Sequence, residues 1–427
     1  MKYKAVRGME DILPGDVGIW RWLEDNARRV FDFFGYEEIR TPILEETSVF
    51  SRSIGETSDI VTKEMYTFKD RKERSLTLRP EGTAPIVRAY IEHSMDKLSS
   101  ELKLYYIGPM FRSERPQKGR LRQFHQIGVE IFGGGPYSEV LAIRRLEFLL
   151  RSLGLRDFTI KLNSLGCKTD KDSFAGKMKK YLKDKEKRLC DDCKVKIKRN
   201  VLRVLDCKNE CCIQVVRQAP DILDSLCTEC GDRFDKLKKD LKDMEVPFAE
   251  TKNLVRGLDY YTGTIFEITH PALGAQDAIG AGGRYDNLVK DLGGPDINAF
   301  GYALGMERII LILKKTKSLP EPKTVYVATL GTKAKYKGAK IVAALETWLL
   351  RKEWKREHAR VMMDGGETSL KSQMRKANKN NAKIVVILGE DEVRENKAIL
   401  RNMVTKEQRS VSIDNVAKEI EKELEKH

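Results

Sequence analysis

The N-terminal part of the chain places apolar residues first at helical spacing and then at strand spacing. A helix is predicted over residues 17–34, with Asp16 as its N-terminal cap and Gly35 ending it. The next segment, residues 38–44, predicts a strand that Pro42 interrupts, and therefore an edge strand or a kink. The apolar face of the helix consists of Ile19, Trp20, Leu23, Ala27 and Val30.

Further along, helices and strands are predicted in mixed order, which is typical of an α+β fold. Residues 168–246 differ from their surroundings, because Lys, Asp and Cys dominate and the pattern is helical, so an inserted helical module is predicted. Before it, strands are predicted at residues 75–78, 102–107 and 122–132, and helices at residues 80–90 and 138–153. After it, strand-type sequence is predicted at residues 252–269 and 276–283, and a helix at residues 303–315.

The last quarter of the chain predicts a small α/β domain, because strands alternate with helices. Its composition marks residues 318–322, which contain two prolines, as a linker. Strands are predicted at residues 324–330, 359–363 and 384–389, helices at residues 337–354 and 369–378, and two short strands with a charged helix end the chain.

The charge balance of the chain is consistent with a polyanionic partner. The chain of 427 residues carries a formal net charge of +15, and its pI is about 9.2. Such a balance suits a nucleic acid, whose phosphates release counterions on contact with lysine and arginine, and equally suits a solvated lysine-rich surface. The apolar runs are too short for a membrane span and no signal core follows the N-terminus, so we expect a soluble cytoplasmic protein with no membrane partner.

The densest group of candidate functional residues is an arginine-rich loop and its flanking strands, at residues 111–130. Guanidinium groups form bidentate contacts with phosphate oxygens and stack on purines. Beyond the loop, an aromatic ring, an amide, a glycine and a carboxylate fall on one strand face, and the ring, the amide and the carboxylate could line a pocket. The alternative is an exposed basic hairpin. The residues on this face are Phe124, Gln126, Gly128 and Glu130.

A second group, at residues 254–267, combines an arginine, an aspartate and two tyrosines with glycines that allow a ligand to approach closely. Imidazole requires hydrogen-bond partners at both ring nitrogens, and a carboxylate with a phenol would supply them. Analogues without those nitrogens would leave the polar groups unpaired, which gives selectivity. The alternative is a strand whose tyrosines fill the core.

Both groups resemble known signatures. Phe-Arg-Ser-Glu at residues 111–114 resembles motif 2 of class II aminoacyl-tRNA synthetases, and Arg-Gln-Phe-His-Gln at residues 122–126 resembles the variant found in histidyl-tRNA synthetases. Residues 254–267 and 278–286 resemble the two histidine-specific motifs of that family. The histidine motifs make the resemblance specific to one family within the class.

Other segments resemble the family in the same order. They are the opening at residues 7–14, motif 1 with its dimer interface at residues 38–45, the amino-acid-binding turn at residues 77–83, motif 3 at residues 301–308 and the anticodon-binding domain from Thr324. The implied fold is α+β: a class II catalytic domain with an antiparallel sheet flanked by helices, a helical insertion and a C-terminal α/β anticodon-binding domain. The implied boundaries are residues 1–167 and 247–317 for the catalytic domain, 168–246 for the insertion and 318–427 for the anticodon-binding domain.

The resemblance implies a role for each candidate site residue. Arg112 and Arg256 would be catalytic at the α-phosphate, and Arg256 would serve where other class II enzymes use a metal ion, since a fixed cation stabilises developing charge. For Glu81 helix capping, and for Arg308 a helix-surface position, remain alternatives. ATP would be bound by Arg112, Glu114, Arg120, Phe124 and Arg308. Histidine would be bound by Glu81, Thr83, Gln126, Glu130, Arg256, Tyr260 and Tyr261.

All eight cysteines lie between Cys167 and Cys230, and without a secretory signal disulfides are not expected. Two C-x-x-C pairs could hold a structural zinc ion, although the family does not require one, and reduced thiols are the alternative. The basic residues of the insertion would face the tRNA acceptor stem or form a solvated helix face. The candidate zinc ligands are Cys190, Cys193, Cys227 and Cys230.

The implied activity is that of a histidine–tRNA ligase working as a homodimer. L-Histidine, ATP and Mg²⁺ would give histidyl-adenylate and pyrophosphate, and histidine would then pass to the 3′ end of tRNA(His). Positioning and charge stabilisation would carry the first step. The rivals are a non-catalytic paralogue, such as the regulatory subunit of ATP phosphoribosyltransferase, and a tRNA-binding or zinc-organised scaffold. Phosphate contacts to tRNA are expected from Lys371, Arg375, Lys376 and Lys379.

Overall fold

The computed structural model divides into two compact units, Met1–Lys317 and Ser318–His427. The segment predicted as a linker, residues 318–322, lies outside the described residues, as do the end of the helix predicted at 337–354 and the first residue of the strand predicted at 359–363. No helix within the described residues is long and apolar enough to cross a membrane. The structure describes residues 3–55, 58–117, 119–135, 137–274, 276–316, 323–351 and 360–425.

The first unit is built on a mixed sheet. Its strands are β1 (Glu37–Glu38), β2 (Leu44–Glu46), β3 (Tyr66–Lys69), β4 (Ser75–Leu78), β5 (Glu101–Phe111), β6 (Gln123–Gly133), β7 (Thr159–Ser164), β8 (Phe248–Glu250), β9 (Thr262–Thr269), β10 (Ala278–Arg284) and β11 (Ala299–Gly305). Within the described part of the chain, eight of them form one sheet in the order β1-β5-β6-β11-β10-β9-β7-β8, and β2-β4-β3 form a smaller one. The six central strands are antiparallel, as predicted, while the short edge strands β1 and β8 pair in parallel.

Helices flank this sheet. The α-helices of the first unit are α1 (Val17–Phe33), α2 (Thr47–Ile54), α3 (Thr83–Glu92), α4 (Ser138–Ser152), α5 (Lys168–Lys183), α6 (Asp191–Arg199), α7 (Glu210–Val216), α8 (Thr228–Asp243), α9 (Leu288–Asp291) and α10 (Met306–Thr316). Shorter π- or 3₁₀-helical turns lie at Ile60–Glu64, Met95–Lys97, Glu186–Arg188, Val201–Val204, Leu223–Ser225 and Pro271–Leu273.

The N-terminal predictions are confirmed except for one cap. All five residues of the predicted apolar face of α1 are buried. Pro42 separates β1 from β2, which belong to different sheets, so the predicted interruption is confirmed. The capping role of Asp16 is wrong, because its side chain accepts no hydrogen bond from the helix and instead forms an ion pair with Lys314.

Two predictions near the end of the first unit are also wrong. Residues 303–305 belong to strand β11 and not to the following helix, which begins at Met306. Residues 252–261 form an irregular segment before β9 and not the start of a strand. The small residues of β11 (Ala-Phe-Gly-Tyr-Ala-Leu-Gly) give little local signal, and pairing with β6 and β10 on its two sides decides its conformation.

The predicted insertion is helical, as expected, and it shares a core with the sheet-bearing part of the unit. Phe174 and Met178 of α5 belong to the same buried apolar cluster as Ile86 and Tyr90 of α3. Buried apolar surface is the main favourable term in packing such elements together. The helices α5 to α7 are therefore anchored to the part of the molecule that carries the candidate site.

The second unit is an α/β domain with its own core. Its strands are β12 (Thr324–Thr329), β13 (Arg360–Met363), β14 (Ala382–Leu388), β15 (Lys397–Asn402) and β16 (Gln408–Ser412), in the order β13-β12-β14-β15-β16. Its helices are α11 (Thr332–Arg351), α12 (Leu370–Lys379), α13 (Glu390–Arg394) and α14 (Val416–Glu425), with a 3₁₀ turn at Ile413–Asn415. The parallel trio β13-β12-β14 is hydrophobic, and Val325, Val327, Ile384 and Val386 lie in one buried cluster.

Candidate active site

The strand β6 places the predicted pocket face at the centre of the sheet, between β5 and β11. Glu130 on this strand is 1% exposed and pairs in register with Gly301 of β11. The hydroxyl of Thr83 donates a hydrogen bond of 2.7 Å to Glu130 Oε1, and the hydroxyl of Tyr285 donates to Oε2. Burial raises the pKa of Glu130 to about 8. The hydrogen bonds from the two hydroxyls lower this pKa in part, and repulsion from Glu81 raises it.

A second buried carboxylate stands beside the first. Glu81 is 4% exposed, and its two oxygens accept the backbone N–H groups of Thr83 at 2.7 Å and Ala84 at 2.8 Å. The capping alternative is therefore present, because this contact covers the start of α3. Burial raises the pKa of Glu81, and the positive charge of Arg112 lowers it in part. The Glu81 side chain therefore caps α3 and also lies near Glu130.

Three tyrosines pack around these carboxylates. The rings of Tyr260 and Tyr261 are 4.7 Å apart between centroids, and those of Tyr260 and Tyr285 are 5.6 Å apart. Burial raises the pKa of Tyr261 to about 12, while the charge of Arg256 lowers it and that of Glu130 raises it. In the structure Tyr285, and not Tyr261, donates to Glu130. Tyr285 was missed as a site residue, although it belongs to a segment already singled out by its glycines.

Tyr106 of β5 is a further residue that sequence reasoning missed. It is 5% exposed, and its hydroxyl has no hydrogen-bond partner among the described residues. Its ring occupies the space where a Cβ atom at Gly82 or Gly128 would stand. The charges of Glu130 and Glu81 raise the pKa of Tyr106 further after burial has raised it. The available signal was the pair of glycines, which allow a large ring to lie against two backbones.

Two predicted histidine-binding residues also carry buried atoms that lack a partner. Gln126 Oε1 and Arg256 Nε have none among the residues that the structure describes. The other end of the Arg256 guanidinium donates a hydrogen bond of 2.8 Å to Glu267 Oε2. Buried polar atoms without partners are costly, so atoms of this kind at one site indicate a polar ligand.

The predicted ATP-binding residues gather at the arginine loop. Gln117 and Arg120 close it as a tight hairpin, and Arg120 Nε lies 3.2 Å from a carboxylate oxygen of Glu114. Arg112 Nε donates to the carbonyl of Pro80 at 2.9 Å, and the Arg112 guanidinium lies 5.2 Å from the centroid of the Phe124 ring. Four of the five predicted residues, all except Arg308, therefore lie on one loop and its flanking strands.

Arg308 reaches this loop from helix α10. Its Nε donates to the carbonyl of Gly119 at 3.0 Å, and Nη1 donates to that of Gln276 at 3.2 Å. Burial lowers the pKa of Arg308, with a further contribution from the nearby charge of Arg120 and opposing ones from Glu114 and Glu267. Arg308 is therefore not a solvated helix-surface arginine.

Shared carboxylates connect the two ends of the site. Glu267 pairs with Arg256 and also acts electrostatically on Arg308. Glu81 lies within electrostatic reach of Arg112 and of Glu130. Arginines that are far apart in sequence thus lie in the same region as the buried carboxylates and phenols.

A positioning contact at this region also escaped sequence reasoning. Glu307 at the start of α10 accepts the backbone N–H of His125 at 2.9 and 3.0 Å and lies 2.9 Å from the Nδ1 atom of the same residue. His125 also packs against Trp20, with ring centroids 4.9 Å apart. These contacts fix strand β6 to the helix that carries Arg308. No local pattern predicts them, because they join residues distant in sequence.

The predicted four-cysteine zinc set is wrong as a set. The structure places its two C-x-x-C pairs in separate clusters, within each of which the potential ligand atoms lie within 4.8 Å of one another. Two residues between the pairs complete the first cluster and two residues that precede both pairs complete the second, because folding brings different partners to each pair. The clusters are Cys190, Cys193, Cys207 and Cys212, and Cys167, Asp170, Cys227 and Cys230.

Comparison with known families agrees with this geometry. The family model described as histidyl-tRNA synthetase matches residues 8–169 and 192–309, and the model described as anticodon binding domain matches residues 324–423. The histidine–tRNA ligase of Thermosipho melanesiensis is 45% identical over 419 residues, with 97% of both chains covered. That of Halothermothrix orenii is 45% identical over 426 residues, which cover 99% of this chain and 100% of its relative.

A solved structure has a similar fold. The crystal structure of apo S. aureus histidyl-tRNA synthetase has a TM-score of 0.79 and 33% sequence identity, covering 98% of this chain and 99% of the other. The family model, the full-length relatives and the similar fold all identify the family whose motifs surround Glu130 and Arg256. The chain belongs to the histidyl-tRNA synthetase family.

Proposed function

We propose that this chain activates L-histidine with ATP and transfers it to tRNA(His). The observation that carries the proposal is the convergence of buried carboxylates and phenols with arginines from separate segments. Glu130 and Tyr261 form one end, and Arg112, Arg256 and Arg308 form the other. The division into residues 1–167 and 247–317 (catalytic), 168–246 (insertion) and 318–427 (anticodon binding) is part of the proposal.

At the imidazole end, we assign selectivity to Glu130, Tyr261 and Gln126. A carboxylate accepts from one ring nitrogen and a phenol or amide pairs with the other, which is the requirement of imidazole. Glu81 and Thr83 are assigned to the substrate ammonium group, a charge-assisted contact. The unpaired Gln126 Oε1 supports this assignment, because a ligand would satisfy it. Tyr260 is assigned to the wall of the pocket.

At the phosphate end, we assign Arg112 and Arg256 to the α-phosphate and Arg308 to the γ-phosphate. Fixed cations beside the α-phosphorus stabilise the charge that develops as the histidine carboxylate attacks and pyrophosphate departs. Backbone carbonyls hold two of these arginines in place before substrate arrives, which reduces the cost of ordering them. Phe124 is assigned to stacking on the adenine, with Glu114 and Arg120 beside it.

Magnesium is expected to accompany the β- and γ-phosphates, where it would neutralise charge. Mg²⁺ prefers oxygen ligands and commonly takes one or two carboxylates together with substrate phosphates. Glu267 and Glu114 fit this requirement, because both carboxylates lie among the arginines assigned to ATP. The side chains themselves bind, orient and stabilise, and none is required as a nucleophile.

The tRNA, dimer and location assignments rest on the family. The anticodon-binding model over residues 324–423 supports contacts between the second unit and tRNA. Phosphate contacts position an RNA without reading its bases, and the basic residues of α12 suit that role. A homodimer and a cytoplasmic location remain predictions.

The non-catalytic rival is disfavoured by the residues that remain in this chain. Such a paralogue would not need the ATP-binding arginines, whereas Arg112, Arg256 and Arg308 are all present and held by specific contacts. The match to the anticodon-binding model argues in the same direction.

Amino-acid-dependent ATP–pyrophosphate exchange tests the function. The full chain is assayed with each of the standard amino acids in turn, and histidine alone should support exchange above background. Charging of tRNA(His) transcript with labelled histidine is the second readout. Exchange supported by another amino acid, or exchange and charging both at background with a folded protein, would contradict the proposal.

A further inference from the structure

One thiol cluster of the insertion has the composition and shape of a metal site. Cys190 lies immediately before α6 and Cys193 in its first turn, so the C-x-x-C pair presents two thiols at a helix start. Cys207 follows the 3₁₀ turn Val201–Val204, and Cys212 lies in α7. Three short helical elements therefore bring four cysteines together from 23 residues of chain, counted inclusively from Cys190 to Cys212.

The distances fit a tetrahedral ion. All four sulfur atoms lie within 4.8 Å of one another, and Cys190 Sγ is 3.8 Å from Cys207 Sγ. Zinc–sulfur bonds of about 2.3 Å in a tetrahedron give sulfur–sulfur separations of about 3.8 Å. A disulfide has a sulfur–sulfur bond of about 2.0 Å, and all cysteines of this cluster are free thiols.

Backbone donors favour thiolates at this position. Cys212 Sγ accepts the backbone N–H of Cys190 at 3.3 Å, and Cys207 Sγ accepts that of Asn209 at 3.5 Å. Donors aimed at sulfur stabilise and orient metal thiolates.

The second cluster has the same spacing, but its hydrogen bonds account for it. The Asp170 carboxylate accepts the backbone N–H groups of Cys167 at 3.1 Å and Cys227 at 2.9 Å. The Cys230 thiol is a further hydrogen-bond partner of the same carboxylate. These bonds cap α5 and join it to the start of α8, so they explain the cluster without an ion.

We propose that Cys190, Cys193, Cys207 and Cys212 bind one structural zinc ion as thiolates. Four protein ligands close the coordination sphere, which is the arrangement of structural and not catalytic zinc. On binding, the thiols release their protons to solvent and zinc stays divalent, so no oxidant or reductant is required. The ion joins α6, the Val201–Val204 turn and α7, elements too short to be stable alone.

The site also has a mechanical connection to the catalytic part. Asn200 and Arg203, between the second and third ligands, donate hydrogen bonds to Asp259 at 3.0 and 2.9 Å. Arg203 also donates to the carbonyl of Gly257 at 3.1 Å. Zinc therefore fixes the segment that holds residues 257–259, directly before Tyr260 and Tyr261.

Metal analysis of matched variants tests the proposal. The full chain is produced in zinc-supplemented medium, purified with reductant and without a metal-affinity step, and analysed by mass spectrometry for bound metal. The wild type should carry about one zinc per chain, and Cys212→Ser should lose it. Cys211→Ser is the matched control, because its exposed sulfur is 3.9 Å from that of Cys212 but is not in the cluster. Cys230→Ser, in the other cluster, should also keep the zinc.

Cobalt reconstitution keeps the proposal testable if Cys212→Ser does not fold. The wild type is stripped of metal and titrated with Co²⁺, and the visible bands and thiolate charge transfer of tetrahedral four-sulfur cobalt should saturate at one equivalent. A wild type that carries no zinc and gives no such bands would overturn the proposal. So would zinc retained by Cys212→Ser, zinc lost from Cys230→Ser alone, or bridged cysteines in a metal-free wild type.

Discussion

The two ends of the candidate site are built on opposite principles. At the phosphate end, Arg112 and Arg308 keep partly solvated charges in place by donating to backbone carbonyls. At the imidazole end, Glu130 is buried in the sheet centre and is surrounded by phenols and close backbone. The phosphate end holds positive charges near solvent, whereas the imidazole end holds carboxylates whose ionisation is disfavoured by burial.

Because of this difference, replacements at the two ends should affect catalysis and stability to different degrees. An arginine held by backbone carbonyls carries charge instead of filling the apolar core, so its replacement should affect catalysis more than stability. A group inside the sheet centre cannot change without disturbing its neighbours, so replacements there should affect histidine binding and stability together. Replacements at the two ends therefore make the comparison measurable.

Arg256→Ala should have the largest catalytic effect. Loss of a cation at the α-phosphate should lower histidine-dependent ATP–pyrophosphate exchange by at least about 100-fold, because the charge of the transition state is left without compensation. Circular dichroism and the melting temperature should change little, since the ion pair with Glu267 is the one side-chain pairing that Arg256 makes among the described residues.

Arg74→Ala provides the matched control for that experiment. Arg74 is also an ion-paired arginine of the first unit, with Nε 2.7 Å from Asp70, but it lies on an exposed hairpin. Its replacement should leave exchange unchanged. Normal exchange in Arg256→Ala would remove Arg256 from the phosphate end and break the comparison there.

Gly301→Ala should impair both histidine binding and stability. A Cβ atom at this position would overlap the carboxylate of Glu130 and lie 2.6 Å from the carbonyl of Val129. Overpacking of this kind costs roughly 1–3 kcal/mol, and displacement of Glu130 should raise the KM for histidine more than that for ATP. Gly176→Ala is the control, because nothing lies within 4 Å of the added carbon in helix α5.

The control should shift stability in the opposite direction. Alanine in a helix interior is favoured over glycine by about 1 kcal/mol, so Gly176→Ala should raise the melting temperature and leave both KM values unchanged. Equal KM values for wild type and Gly301→Ala would show that the imidazole end tolerates displacement of Glu130.

Tyr261→Phe should have a smaller and more selective effect. Loss of one hydroxyl partner of the imidazole should weaken histidine binding roughly tenfold and leave ATP binding unchanged, as measured by titrating each ligand separately. Tyr302→Phe is the control, because this buried tyrosine lies against Phe266, with ring centroids 6.3 Å apart, and faces Tyr36 and Arg145 instead of the site. A weaker affinity for ATP alone would contradict the assignment.

The sequence predicted which residues form the site better than it predicted the contacts between them. Period-two spacing correctly put Phe124, Gln126 and Glu130 on one face, because strand geometry is local. It did not reveal that Tyr285 bonds Glu130, because that contact joins residues 155 apart.

The cysteines show the same division between local and distant information. Each C-x-x-C pair is a local pattern and lies in a cluster, whereas the partners of each pair depend on how the helices of the insertion pack. Strand β11 was likewise misplaced in part, since its small residues give little local preference.

The effect that is smallest per pH unit, and that tests burial most directly, is the pH dependence of the stability contributed by Glu130. Burial raises the pKa of this carboxyl from 4.5 to about 8, so the folded chain keeps a proton that the unfolded chain releases. Stability from this group is therefore lost as pH rises from about 4.5 to about 8 and then levels off, with a slope of at most about 1.4 kcal/mol per pH unit.

Glu130→Gln removes that titration, and its amide oxygen can accept from one of the two hydroxyls, Thr83 or Tyr285, while its NH2 group faces the other. The difference in melting temperature, variant minus wild type, should therefore increase with pH across this window by roughly 2 °C per pH unit and become constant above it. Because other titrating groups are common to both proteins, they cancel in the difference. Melting temperatures of variant and wild type that run parallel with pH would mean that the Glu130 carboxyl ionises normally inside the sheet. The proposed difference between the two ends, which rests on burial disfavouring ionisation of the carboxylates at the imidazole end, would then be contradicted.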